Sequence, residues 1–528
     1  MSEKKEHWGS SFGFIMAMAG SAVGLGNIWR FSFITGQNGG SAFLLVYLGC
    51  VFLVGIPIML CELTMGRAAQ SNPVRTFHIL GPSKSRLSNF LGFVLLLCAL
   101  ASLSFSHFFF AALFAIVGAS FLRFGWVTLG VLYGAVTPLF ILAYYGVVGG
   151  WTLIYVCKSL LGQLNVQTVE EASAIMTPII MAPKGSWTIP LLATLFFMLT
   201  TSVIIWIGVQ KGIERFSKIF MPMLALLLIV LIFRGLSLPN ATKGLKFLFV
   251  PDFSQLSGRS VLAALGHAFY SLSLGMGITI TYGAYLKPDN NLPRSTVTVA
   301  LLDTLVSVMA GLAIFPVVFA MGFAPDSGPS LIFKVLPLAF QKLPLSTVWN
   351  VIFFLAVLIA ALTSAVSLLE GPVCLMVEEL KWKRSRVLFI LVPCLCAVSC
   401  VITLSCGDYA NFPSLGTFIQ KTFMSTQGSL FDAFDYASCQ WLIPIACFLT
   451  LLYAGWVWGP RNAVKEMRSG STGAMDTGFW HLLTGVYEHN TIGDPSPLAP
   501  CVIWAFFIRF ISPILVLLAF LDGLGVFR

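Results

Sequence analysis

Charge is what this chain has least of. Lysine, arginine, aspartate and glutamate make up 10% of the 528 residues, where a soluble globular domain carries about 25%. Acidic residues are the scarcer sign, 21 against 31 basic ones, for a formal charge of +10. That excess does not imply nucleic acid. The basic residues fall in short loops between apolar runs, where they set orientation in a membrane. No CxxC pair occurs among the twelve cysteines; they are scattered, mostly within apolar runs, and read as small packing residues. His7, His78, His107, His267, His481 and His489 are too dispersed for a zinc site. No Ser/His pairing and no paired aspartates in adjacent spans suggest an intramembrane enzyme. No small-residue cleavage site follows the first apolar run, so that run is expected to stay as a span.

Apolar residues, by contrast, reach 57%, with a mean hydropathy of +0.90. With the bilayer as solvent, the backbone must satisfy itself within helices, so an all-α membrane protein is expected. Its partners are then the lipid bilayer and a small molecule, with no nucleic acid.

The first apolar segment, Gly9 to Thr35, is long enough to cross a bilayer. Yet it contains Ala19-Gly20-Ser21-Ala22-Val23-Gly24-Leu25-Gly26-Asn27-Ile28-Trp29-Arg30. Glycine weakens a helix interior by roughly 1 kcal/mol against alanine. An arginine at membrane depth needs a cavity and a partner. The pattern predicts a broken helix, because unwound backbone is tolerated in a membrane only where it lines a cavity. Tyr270-Ser271-Leu272-Ser273-Leu274-Gly275-Met276-Gly277 interrupts a second span in the same way. Two interrupted spans, one in each half, point to a secondary transporter with its site at the bilayer midplane.

The basic loops alternate sides over about eleven crossings, with the N-terminus on the cytoplasmic side. The expected organisation is one transporter domain. A first repeat covers 9–235 and a second 261–459, with opposite topology, and an extra helix covers 500–521. Asn89 to Leu122 is an apolar insertion, too short for two comfortable crossings and long for one, so a helical hairpin that enters and returns is expected there.

Several of these motifs occur together in a known family. Glu6-His7-Trp8, the Ala19 to Arg30 stretch, Gly39-Gly40, Glu62-Leu63 with Gly66-Arg67, Gly212-Ile213-Glu214, and Ser271-Leu272-Ser273 with Gly275 resemble the neurotransmitter:sodium symporters, and most of all their bacterial amino-acid branch. The resemblance implies the LeuT fold, a five-plus-five inverted repeat with discontinuous helices 1 and 6. It implies Na⁺-coupled import by alternating access in a bacterial inner membrane. An ion-coupled sensor or channel-like protein on the same fold is the alternative. Neither monomer nor homodimer is favoured.

The resemblance also implies residue roles. A first sodium site falls on Ala22, Asn27, Ser271 and Asp303. A second falls on Gly20, Val23, Ala360, Thr363 and Ser364. Two sodium ions and no chloride are therefore expected, because the carboxylate of Asp303, with Ser307 one turn on, stands where chloride-requiring members have a neutral residue. The substrate pocket maps to Ala22, Gly24, Leu25, Gly26, Ile141, Tyr145, Tyr270, Ser271, Ser273, Met276, Thr363 and Leu368. The Gly24 and Gly26 amides and the Tyr145 hydroxyl would take a substrate carboxylate. No aspartate stands between Ala22 and Asn27 to pair with a bare amine, so an α-amino acid, hydrophobic or aromatic, is expected. An outer gate would join Arg30 to Asp435 under Tyr270. An inner gate would join Lys5 and Trp8 to Glu378, with Tyr285 nearby.

Overall fold

The computed structural model describes residues 6–104, 108–181, 186–323, 325, 331–406, 429–469, 500–524 and 526. Among these, nine helices are long and apolar enough to cross a membrane, and a bent pair makes a tenth. The bent pair is α1 (Ser11–Ala22) and α2 (Gly26–Gln37), which meet at 52°. The others relevant here are α3 (Ser41–Ala69), the pair α4 (Arg86–Ser104) and α5 (Phe108–Phe124), α6 (Val127–Leu160), α7 (Thr188–Ile207) and α8 (Val209–Leu236). A second divided span follows, α9 (Gly258–Ser271) and α10 (Ile278–Ala284). Then come α11 (Leu292–Ala320), α12 (Ser346–Leu380), α13 (Arg384–Ser405), α14 (Leu430–Trp458) and α15 (Ile503–Gly523).

The helices start and stop where the sequence provides for it. Ser10 caps α1, its side chain accepting from the Gly13 amide, which satisfies one of the orphan donors of the first turn. Ser257 and Ser260 form a capping box at the head of α9. The chain leaves α9 through Leu272 to Gly277, with Ser273, Gly275 and Gly277 all at positive φ. Gly277 has no substitute: a Cβ there would lie 2.3 Å from the Tyr133 carbonyl oxygen.

Four helices, α6, α7, α12 and α13, pack against one another. The divided helices lie beside them, α1 against α8, α11 and α12, and α9 and α10 against α3. Glu62 of α3 holds the second break open. Fully buried, it accepts from the Gly275 amide at 3.1 Å and the Tyr133 hydroxyl at 2.9 Å, and from the Thr279 hydroxyl. An intramembrane carboxylate is thus surrounded by donors, as its desolvation requires.

Between α3 and α6 the chain forms the packed pair α4 and α5, which touch where Gly92 faces Gly118. Small residues let the two backbones approach without a hydrophobic driving force, which lipid does not supply.

Candidate functional site

α1 ends at Ala22 because Val23 turns extended, φ −74° and ψ 100°. The carbonyls of Gly20, Ser21 and Val23 are thereby freed toward α12. Ser364 Oγ lies 3.4 Å from Gly20 O, 3.1 Å from Ser21 O and 3.3 Å from Val23 O. Thr363 Oγ1 lies 3.4 Å from Val23 O and 3.0 Å from Ala360 O. Six oxygens from two helices therefore face one another with no nitrogen among them. That donor set fits a hard monovalent cation, the use to which unwound carbonyls are put in transporters.

The second cluster surrounds Asn27, which is fully buried. Its Nδ2 lies 3.0 Å from Ser271 Oγ, 2.6 Å from Asp303 Oδ1 and 2.9 Å from Ser307 Oγ. Its Oδ1 accepts from the Gly24 amide at 2.9 Å. Ser271 donates to both carboxylate oxygens of Asp303, and Tyr47 donates to Oδ2 at 3.3 Å. The amide's positive end occupies the point where oxygens from α9 and α11 converge. Turning the amide over presents Oδ1 instead, and the cluster then offers a cation oxygens only. Tyr47 is absent from the sequence reading, because a tyrosine in an apolar span carries no signal of its own.

Between the clusters lies a small cavity of about 20 Å³ lined by Ser21, Ala22, Gly24, Gly26, Ile141, Tyr145, Tyr270, Ser273, Met276, Ile278, Ser364 and Leu368. Most of the expected pocket residues thus share one wall. Three do not: Leu25 lines the vestibule above, Ser271 faces Asp303, and Thr363 faces Val23 and Ala360. Ser21, Ile278 and Ser364 join the wall instead. The cavity has room for about one water, so a larger guest requires the walls to part.

Glycine makes the close approach possible. A Cβ on Gly24 would meet Ser364 Oγ at 2.4 Å, and one on Gly26 would meet the Tyr270 ring at 3.0 Å. The Leu25 amide, not that of Gly24, donates to the Tyr145 hydroxyl, at 3.1 Å. Gly26 opens α2, where amides lack intrahelical acceptors and the helix dipole favours negative charge.

Above the cavity, a vestibule of about 220 Å³ is bounded by Trp29, Arg30, Tyr270, Phe431 and Asp435. Arg30 pairs with Asp435 at 3.0 Å and lies over the Tyr270 ring, 5.2 Å from its centroid. Below it, Trp8 is buried with its Nε1 donating to Tyr282 O at 3.0 Å, its ring edge-on to Tyr282 and Tyr285.

On α12, Glu370 rather than Glu378 stands beside Tyr285. Tyr285 donates to Glu370 Oε1 at 2.7 Å, and Arg384 bonds both oxygens of Glu370 at 2.6 and 2.9 Å. Glu378 lies two turns further along α12, bonded to Ser71 and Asn72. Lys5 lies outside the described residues. Glu6 ties the same cluster to α8, accepting from the Val209 amide at 2.9 Å and lying 3.5 Å from Arg384.

Comparison with known proteins gives the family. The profile of the Sodium:neurotransmitter symporter family matches residues 5–121 and 176–487. The chain belongs to this family. It is 34% identical, over all of its length and 99% of the relative's, to the uncharacterized sodium-dependent transporter YhdH of Bacillus subtilis. It is 29% identical to an uncharacterized sodium-dependent transporter of Haemophilus influenzae, covering 99% of each. Among solved structures it resembles MhsT in complex with L-phenylalanine, with 37% identity and a TM-score of 0.76, covering 98% of this chain and all of that one. The chain is therefore a multi-pass, sodium-dependent membrane transporter with the LeuT fold.

Proposed function

We propose that this transporter is a Na⁺-coupled symporter that imports an α-amino acid with a bulky hydrophobic or aromatic side chain, by alternating access and without chloride. The observation that carries the reading is the small cavity itself. It lies between the all-oxygen cluster at Ser364 and the cluster around Asn27 and Asp303, beside the first turn of α2, and has Ile141, Met276, Leu368 and Tyr270 on its walls. A carboxylate at Gly26 meets the positive end of a helix. An apolar side chain among Ile141, Met276 and Leu368 gains burial, and Met276 adapts to its shape. The phenylalanine in MhsT supports the same class of side chain.

Sodium at the cluster of Gly20, Val23, Ala360, Thr363 and Ser364 would join α1 to α12. Sodium at the cluster of Ala22, Asn27, Ser271 and Asp303 would touch the substrate carboxylate. The fixed charge of Asp303 supplies the negative partner that chloride would otherwise provide. Arg30 with Asp435 closes the outer side, and Trp8 with Tyr285 and Glu370 the inner. The inner side is assigned to the cytoplasm, with the N-terminus, because the basic loops lie there.

The test is uptake of a mixture of labelled amino acids into proteoliposomes, with an inward Na⁺ gradient and gluconate in place of chloride. Accumulation of one hydrophobic amino acid above its equilibrium level is expected. Equal flux without sodium, or no accumulation of any amino acid, would overturn the reading.

A further inference from the structure

The helical hairpin takes no part in the transport site, yet it creates a cleft of its own. Ile116, Ser120 and Phe124 of α5 face Val127, Val131 and Val136 of α6 across about 460 Å³. The cleft opens outward: Ile116 is 66% exposed and Val136 43%. From Ile116 to Phe124, or from Val127 to Val136, a helix rises about 12–14 Å. One leaflet of the hydrocarbon core is about 15 Å thick. The cleft is thus one acyl chain deep.

Its closed end is cationic. The chain reverses at Gly125 and Trp126, and the Ser83 to Ser85 loop is stapled there. The Trp126 amide donates to Ser83 O at 2.7 Å, and its ring Nε1 to Ser85 Oγ at 2.9 Å. This gathers Lys84, Arg86 and Arg123 at one edge, all exposed. Arg123 lies over the ring of Phe124, itself a wall of the cleft, at 5.1 Å. No aspartate or glutamate occurs between Glu62 and Glu170. Arg67 and Arg75, in the same stretch, find carboxylates on Glu466 and Glu379. Among the described residues no carboxylate pairs with Lys84, Arg86 or Arg123.

We propose that the cleft between α5 and α6 binds one anionic phospholipid, an acyl chain lying between the helices and its phosphate held by Arg123 with Lys84 and Arg86. The inference goes beyond the transport reading and depends only on the chain lying in a membrane. Basic residues at the end of an apolar groove are the physical requirement for such a site. The arginine fork matches a phosphate. A zwitterionic lipid presents the same phosphate but also an ammonium that repels the three cations, so the site selects net negative charge.

The test uses the full chain in nanodiscs of phosphatidylcholine with and without phosphatidylglycerol, with retained lipid read by native mass spectrometry. One phosphatidylglycerol is expected to survive on the wild type. Arg123→Gln should reduce its retention about fivefold, the contribution of one cation at a lipid surface. Val131→Trp, which fills the cleft, should remove it. Ser120→Trp, on the lipid-facing rim, gives the same test should Val131→Trp fail to fold. Lys246→Gln, an exposed charge on another helix, should change nothing. Equal retention by all variants overturns the site. So does equal retention of phosphatidylcholine. Loss on removing charge, with no loss on filling the cleft, shows headgroup attraction alone and overturns the docked chain.

Discussion

Asn27 Nδ2 lies 2.6 Å from Asp303 Oδ1, with both side chains fully buried. A carboxylate and an amide from helices more than 270 positions apart in sequence share one point, and two serine hydroxyls point at it as well. A neutral side chain at 303 should remove the charge that holds a cation there. Asp303→Asn is expected to lower sodium-driven uptake at least tenfold in gluconate, in line with about 1.5–3 kcal/mol for a charged hydrogen bond. Chloride should restore part of it. Unchanged uptake in gluconate would remove the role given to this residue.

Ser364 contributes one of the six oxygens gathered between the end of α1 and α12. Ser364→Ala should raise the sodium concentration for half-maximal uptake about tenfold, from the loss of one ligand of a buried ion. The number of substrate molecules bound at saturating sodium should stay the same. A normal sodium requirement in this variant would count against the cluster as an ion site.

Glu370 is fully buried and carries both Tyr285 and Arg384. Removing one partner of a buried pair leaves the other uncompensated and destabilises by about 3–5 kcal/mol. Arg384 retains some solvent and Glu6, so the lower end applies. In Glu370→Gln, hydrogen exchange at the backbone of Trp8 to Gly13 is expected to accelerate by about two orders of magnitude. Tyr285→Phe should show a smaller effect. Exchange unchanged in both variants would show that Trp8 is held by its own packing.

Gly66 of α3 lies against α10, where an added Cβ would sit 2.1 Å from Ile280 O and 3.0 Å from the Ala284 nitrogen. Backbone cannot yield as a side chain tip can. Gly66→Ala should destabilise by about 1–3 kcal/mol through overpacking, read as a lower melting midpoint in detergent. An unaltered midpoint would mean that the two helices are free to separate.

Much of this was legible in the sequence, and for a physical reason. A membrane span advertises itself by composition, and a break within it by glycines that a plain anchor would not carry. The first break was visible at Ala19 to Arg30, and the second at Tyr270 to Gly277. That Gly20 and Val23 turn their carbonyls toward Ser364 follows from the break in α1, because backbone oxygens need no particular side chain. Glu370 carried no signal of its own, because it and Glu378 lie two turns apart on α12 and cannot be told apart by periodicity. What separates them is Arg384, which reaches Glu370 from the head of the next helix. The cleft beside the hairpin had no motif at all, since it arises from how two apolar helices diverge.

One element, α12, carries Ala360, Thr363, Ser364, Leu368 and Glu370 within three turns, on a helix of 35 residues. From Ser364 to Glu370 the rise is about 9 Å. Pro372 follows closely, and without an N–H it leaves the Leu368 carbonyl without its intrahelical bond, so the segment is weakest between Leu368 and Glu370. A rotation of one end reaches the other only through that point. Separating Glu370 from Tyr285 while the oxygens around Ser364 stay in place would have to bend α12 there.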